Sequence, residues 1–192
     1  MQMKIVSSVA AVLFAAAVVV SAQQTQPGPG QDHSQASTTT KARASADEGF
    51  VKEAAKGGLA EVELGKLATE KASNDRVKQF GQKMVTDHSK ANDELKPIAA
   101  SKNIQVASEL DSKDEATYNR MKGMSGAAFD RAYVSDMLRD HEKDVAAFRK
   151  ESTSGHDPDV KAFAAKTLPT LEEHLKMIRD LSKDIGVTAT GN

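Results

Sequence analysis

Between about residue 47 and residue 185 the chain carries four long stretches in which apolar residues return at the helical period. They are joined by a short link, a long one and another short one. The first runs from about Asp47 to Lys71 on Phe50, Ala54, Gly57, Leu64 and Ala68. The second follows the link "ASND" to about Ala100, on Val77, Phe80, Met84, His88, Ala91 and Leu95, with Pro97 disturbing its last turn. The third, about Ala127 to Glu151, uses Tyr133, Val134, Met137, His141, Val145 and Phe148. The fourth, about Asp157 to Ile185, uses Val160, Phe163, Leu171, His174, Ile178 and Leu181. No stretch alternates with period two, so strands are not required. Two short-linked helix pairs and one long connection predict an all-α four-helix bundle with one long crossover.

The connections carry their own signals. Ser73 and Asn74 are N-cap candidates between the first pair, and "STSGHDPD" is a turn between the second. The crossover contains "DSKDEATYNRMKG", which reads as a short helix bounded by Gly123 and Ser125. Gly57 and Gly58 permit a neighbouring helix to come close. Pro169 deprives the Ala165 carbonyl of its usual partner, so a bend is expected there.

Ahead of the bundle, "MQMK" and the apolar run "IVSSVAAVLFAAAVVV" read as a signal peptide over residues 1–22, with cleavage after Ala22. Residues 23–46 have the Pro/Gly/Ser/Thr-rich composition of a disordered spacer, and residues 186–192 that of a flexible tail. The mature chain is expected to be exported, periplasmic or otherwise associated with the cell envelope, without stable membrane insertion.

Composition narrows the chemistry. The 26 Lys and Arg nearly cancel the 27 Asp and Glu, leaving a formal charge of -1. That balance provides no bulk attraction to nucleic acid. The chain has no cysteine, which excludes disulfides, thiolate metal sites and covalent c-type haem attachment. Neither a phosphate-binding glycine loop, nor a nucleophile elbow, nor an HExxH zinc motif is present.

What remains is a set of misfits inside the apolar faces. At about 100° per residue, His88, His141 and His174 fall within their helices' apolar stripes, and Glu61 falls within that of the first. Each lies just past the middle of its helix, so all four are expected in one layer of the bundle. A single core histidine usually needs only a local hydrogen bond. Three with a glutamate must satisfy one another or share a ligand. One solution is a single transition-metal ion (iron, zinc, manganese or copper) held by Glu61, His88, His141 and His174. The other is a closed polar network that fixes packing register. Both stay open at this stage.

Met84 and Met137, one turn before two of these histidines, and Met177, three residues after the third, add a Met/His copper set as a lesser alternative to core filling. The acids Asp87, Asp140 and Glu173 each precede a core histidine and are expected at the rim, mostly solvated. Asp130 is expected as a buried structural acid or a cap, and His33 and His156 as solvated. Catalytic residues are not evident. The reading of enzyme against non-enzyme leans to the latter, and homo-oligomerisation and protein partners are left open.

The segments "GGLAEVELGKLA" (57–68), "MVTDHSKANDEL" (84–95), "SGAAFDRAYVSDMLRDHEKDV" (125–145) and "FAAKTLPTLEEHLKMI" (163–178) resemble an exported bacterial domain-of-unknown-function family. Its members are commonly labelled outer membrane proteins and are grouped with the ferritin-like superfamily. The resemblance implies a ferritin-like bundle in the cell envelope and no established activity. Di-iron members of that superfamily carry Glu-x-x-His pairs. Here Val85, Leu138 and Leu171 stand three residues before the histidines, and beyond Glu61 only Asp144 could serve as a further carboxylate. Iron-dependent oxidase chemistry is therefore a weaker expectation than one metal ion. A non-enzymatic structural or stress-related envelope protein is the main alternative.

Overall fold

The computed structural model describes residues 33–187, with side chains from residue 44 onward. Helices α1 (His33–Lys71), α2 (Asp75–Ser101), α4 (Gly126–Ser154) and α5 (Pro158–Asp184) form the bundle, and α3 (Ser112–Lys122) lies in the crossover. Among the described residues there is no strand and no helix long and apolar enough to cross a membrane. The expected signal peptide lies outside the described residues.

Polar contacts at the bundle ends define the topology. Asp130, near the start of α4, accepts from the backbone N–H of Ser73 and Asn74 and from the Ser73 hydroxyl, at 2.5–3.1 Å. This places the start of α4 beside the α1–α2 link. At the opposite end, Asp47 of α1 accepts from the backbone N–H of His156 and Asp157 in the α4–α5 turn. Lys102, just after α2, pairs with Asp157 and Asp159. Thus α2 and α4 run in the same direction, and residues 102–125 return along the bundle as the single long crossover. Three helix starts are closed by side chains, with Asn74, Asp111 and Asp157 each accepting from backbone N–H groups of the first turn.

Three local expectations are corrected. Helix α1 starts at His33, inside the segment read as a spacer. Past Pro29 and Gly30 that segment contains only helix-compatible Ala, Ser, Thr, Gln and charged residues up to Gly49, so nothing in it stops the helix. Ser73 is not the N-cap. Its backbone N–H and hydroxyl both go to Asp130, and Asn74 caps α2. Finally, Gly57 has open space beside it, whereas a Cβ at Gly58 would lie 2.6 Å from the Asn92 side chain.

The tightest helix contact lies elsewhere on α1 and α2. A Cβ on Gly65 would lie 2.7 Å from the Gly81 carbonyl, and one on Gly81 would lie 2.6 Å from the Ala68 Cβ. These glycines bring the two backbones together one to two turns from Glu61 and His88. The core around them is built from Val77, Phe80, Met84, Phe129, Tyr133, Met137 and Ile178, all at most 1% exposed.

Gly81→Ala should therefore destabilise the fold by about 1–3 kcal/mol through overpacking, while Gly57→Ala should stabilise it by about 0.5–1 kcal/mol through helix propensity. Thermal unfolding of the two variants against the parent chain checks both signs, and equal shifts would contradict the close approach.

Candidate metal centre

The bundle brings one titratable residue from each long helix into a single buried layer. Glu61 (α1) is 3% exposed, His88 (α2) 6%, and His141 (α4) and His174 (α5) 0%. The imidazole centroids are 5.4–5.8 Å apart. One ligand atom from each histidine lies within 4.8 Å of the other two. Phe80 closes one side of the layer, with its ring edge-on to His141 at 5.9 Å and to His174 at 6.3 Å.

The partners of each ring determine which nitrogen is free. His141 Nδ1 is 2.9 Å from the Met137 carbonyl. A carbonyl only accepts, so Nδ1 carries the proton and Nε2 holds the lone pair. His174 Nε2 is 2.8 Å from an Asp87 carboxylate oxygen, so there Nε2 is protonated and Nδ1 is free. His88 Nδ1 faces Glu61 Oε2 at 2.9 Å, and its Nε2 is unpartnered. Three buried nitrogens, His88 Nε2, His141 Nε2 and His174 Nδ1, have no hydrogen-bond partner. On His141 and His174 that nitrogen is an acceptor. Acceptors cannot satisfy one another.

Glu61 lies against two rings, with Oε1 also 3.3 Å from His141 Nδ1. Neither of its oxygens receives an aligned hydrogen bond, so these contacts are close charge–dipole approaches and leave carboxylate lone pairs available. Burial pushes the Glu61 carboxyl up to about 7, opposed by His141 and reinforced by Asp140 and Asp136. Burial also holds His88 down to about 4 and His174 down to about 3, and lowers His141. The layer thus favours neutral imidazoles, the form that coordinates metals. Asp87 shifts opposite to Glu61. Burial works against its charge, but the bonds from His174 and Lys83 prevail and lower its pKa.

All four residues singled out from the sequence meet in this layer. Asp87 exceeds its expected role, since it reaches across to α5 and holds the His174 ring. Glu173 pairs with Lys83 at 3.3 Å and stays at the rim. Asp130 is a buried cap, as described above. His156 is half exposed, with Asp47 3.6 Å from its ring. Met84 and Met137 are fully buried in the core and Met177 is partly buried. Asp144, one turn after His141, shares a small space with Glu61 and His88. Its one-turn spacing was the available signal for that position.

The depressed His174 pKa carries a sign. The unfolded chain, at an ordinary 6.5, binds this proton before the folded chain does, so its contribution to stability is present above pH 6.5 and is lost as pH falls. Denaturation of metal-free protein from pH 7 to 4.5 should show the parent losing stability relative to His174→Gln, with a limiting slope of about 1.4 kcal/mol per pH unit. A pH-independent difference would contradict a neutral buried ring.

A family model described as a domain of unknown function, DUF4142, matches residues 32–181 and so takes in the whole layer. No curated protein matches the chain. Among solved structures, the chain is similar to a "putative secreted protein DUF305" from Streptomyces coelicolor, at 13% identity and a TM-score of 0.64, over 77% of this chain and 96% of that one. It is also similar to a DUF305 fragment from Deinococcus radiodurans, at 13% identity and a TM-score of 0.61, over 73% and 95% of the two chains. At such identities the likeness is one of fold. By the extent of the family match, the chain belongs to the DUF4142 family.

Proposed function

We propose that this protein is an exported, non-enzymatic helical bundle that holds one transition-metal ion on His88, His141 and His174. The observation that carries this reading is a buried cluster of three histidines, each leaving one ring nitrogen without a partner and each offering a ligand atom within 4.8 Å of the other two. A cation satisfies all three at once. Imidazole donors suit zinc, copper, iron and nickel. A tetrahedral ion at about 2.0–2.1 Å from each nitrogen would set them roughly 3.3 Å apart, so binding would draw the rings inward from their present spacing. The opposite nitrogens face acceptors, as the anchored rings of metal-binding histidines usually do. Asp87 and the Met137 carbonyl play that part for His174 and His141. Glu61, on the Nδ1 side of His88, is placed to orient the ring, with the fourth coordination position left to solvent or to a carboxylate.

Export to the cell envelope is supported by the signal-peptide pattern of residues 1–22 and by the description of the Streptomyces relative in fold as secreted. A second reading, a structural or stress-related envelope protein whose layer only fixes packing, draws on the contact of Glu61 with two rings. It leaves the three orphaned nitrogens unexplained.

Elemental analysis of untagged mature protein from the exported fraction should find about one transition-metal ion per chain, and chelation should lower the melting temperature. Singly replacing His88, His141 or His174 by Gln should abolish stoichiometric binding, while Glu61→Gln should weaken it by about 10–100-fold. Sub-stoichiometric metal together with a melting temperature unmoved by chelator or added metal would leave the packing reading in its place.

A further inference from the structure

A groove of about 760 Å3 runs between α1, α3 and α4. Its floor is apolar, with Ala60, Leu64, Met137 and Phe148. Its α4 wall carries Asp136, Asp140 and Asp144, spaced one helical turn apart. At its inner end is Glu61, 3% exposed, with neither carboxylate oxygen hydrogen-bonded. Asp136 pairs with Arg139, and Asp140 lies near Arg139 and Lys143. Lys56, Lys113 and Lys150 line the groove as well, so its charge is mixed, with acids in excess. Asp144 has no ion pair among the described residues. Ala54, Glu61, Asp144 and Phe148 line both this groove and a second space of about 20 Å3 that His88 lines on its far side. That volume is about enough for one water or one bare ion.

We propose that hydrated divalent cations reach the three-histidine layer through the α1/α4 groove, with Asp144 and Glu61 as successive oxygen donors that take the ion from water to the imidazoles. The inference rests on the metal-holding reading above and adds its route and the class of species admitted. A dication must exchange its hydration shell before it can enter a space that holds one water. Carboxylate oxygens are the donors that replace water ligands on such ions. The excess of acids over bases in the lining, with Asp144 outside any ion pair, favours cations at the inner end of the groove. The same excess disfavours anionic metal complexes, so the free aquo ion is the species expected to enter. Neither residue is required as a final ligand. Asp144 acts on passage alone, so its loss affects the on-rate and off-rate more than the affinity, whereas Glu61 also orients His88 and its loss affects both.

The test is stopped-flow binding of Co2+ to the metal-free full chain at low ionic strength, followed by its absorption and by chelator-driven release. Gly57 lines the groove and has open space where a side chain would start. Gly57→Phe should therefore plug the path without disturbing the core. Association and release should both slow on the order of tenfold in Gly57→Phe, and association by a similar factor in Asp144→Asn. Ala162→Phe, exposed on α5 away from the groove, should bind at the parent rate. The Asp144→Asn arm stands by itself if the Phe variant does not fold. Parental rates in both groove variants, with Co2+ still bound by the parent chain, would overturn the route and leave the metal reading standing. Failure of the parent chain to bind Co2+ would overturn both.

Discussion

Three imidazoles enclosed in an apolar bundle, each with an unpartnered ring nitrogen, are the constraint around which the rest of the structure is arranged. A buried acceptor without a donor costs on the order of 1–3 kcal/mol, and His88, His141 and His174 each leave one ring nitrogen without a partner. Their orientation is not accidental. The Met137 carbonyl and the Asp87 carboxylate each take the proton-bearing nitrogen of one ring, which turns the other nitrogen inward. Glu61 lies against the remaining ring from a fourth helix. The layer has the character of a ligand set already oriented for a cation, at the expense of local stability.

The surrounding architecture makes that orientation possible. Gly65 and Gly81 let α1 and α2 approach closely enough for Glu61 to meet His88. The crossover allows α2 and α4 to run in the same direction, and Asp130 ties the start of α4 to the α1–α2 link. Opposite, Asp47 ties α1 to the α4–α5 turn. With both ends tied, the helix middles stay level and the four side chains stay at one depth. At the α1/α4 seam a groove with acids in excess leads to Glu61, the carboxylate that touches two of the histidines.

Much of this was legible along the chain. Helical periodicity placed Glu61, His88, His141 and His174 inward, and their mid-helix positions put them at one depth. Asp130 was readable as a buried acid, although its partners, Ser73 and Asn74, lie more than fifty residues away in sequence. Asp87 was expected at the rim and largely solvated, because a residue beside a core position points obliquely. That oblique direction brings it to His174 once α5 is packed alongside. The glycines were misjudged at Gly57 for a similar reason. Periodicity shows that a glycine faces inward but not which neighbour it meets. The start of α1 was missed because a Ser/Thr/Ala-rich segment without a breaker has no strong preference of its own.

The sequence by itself determined that there are four amphipathic helices, how they are linked, and that three histidines and a glutamate turn toward the core. Those properties follow from a period and a composition that each helix carries locally. Only the tertiary structure decided which nitrogen of the His174 ring is free. A tautomer is set by the partner on the other nitrogen, and for His174 that partner, Asp87, sits on a different helix. The same holds for the groove, which exists only where two helices and the crossover helix fail to close against one another.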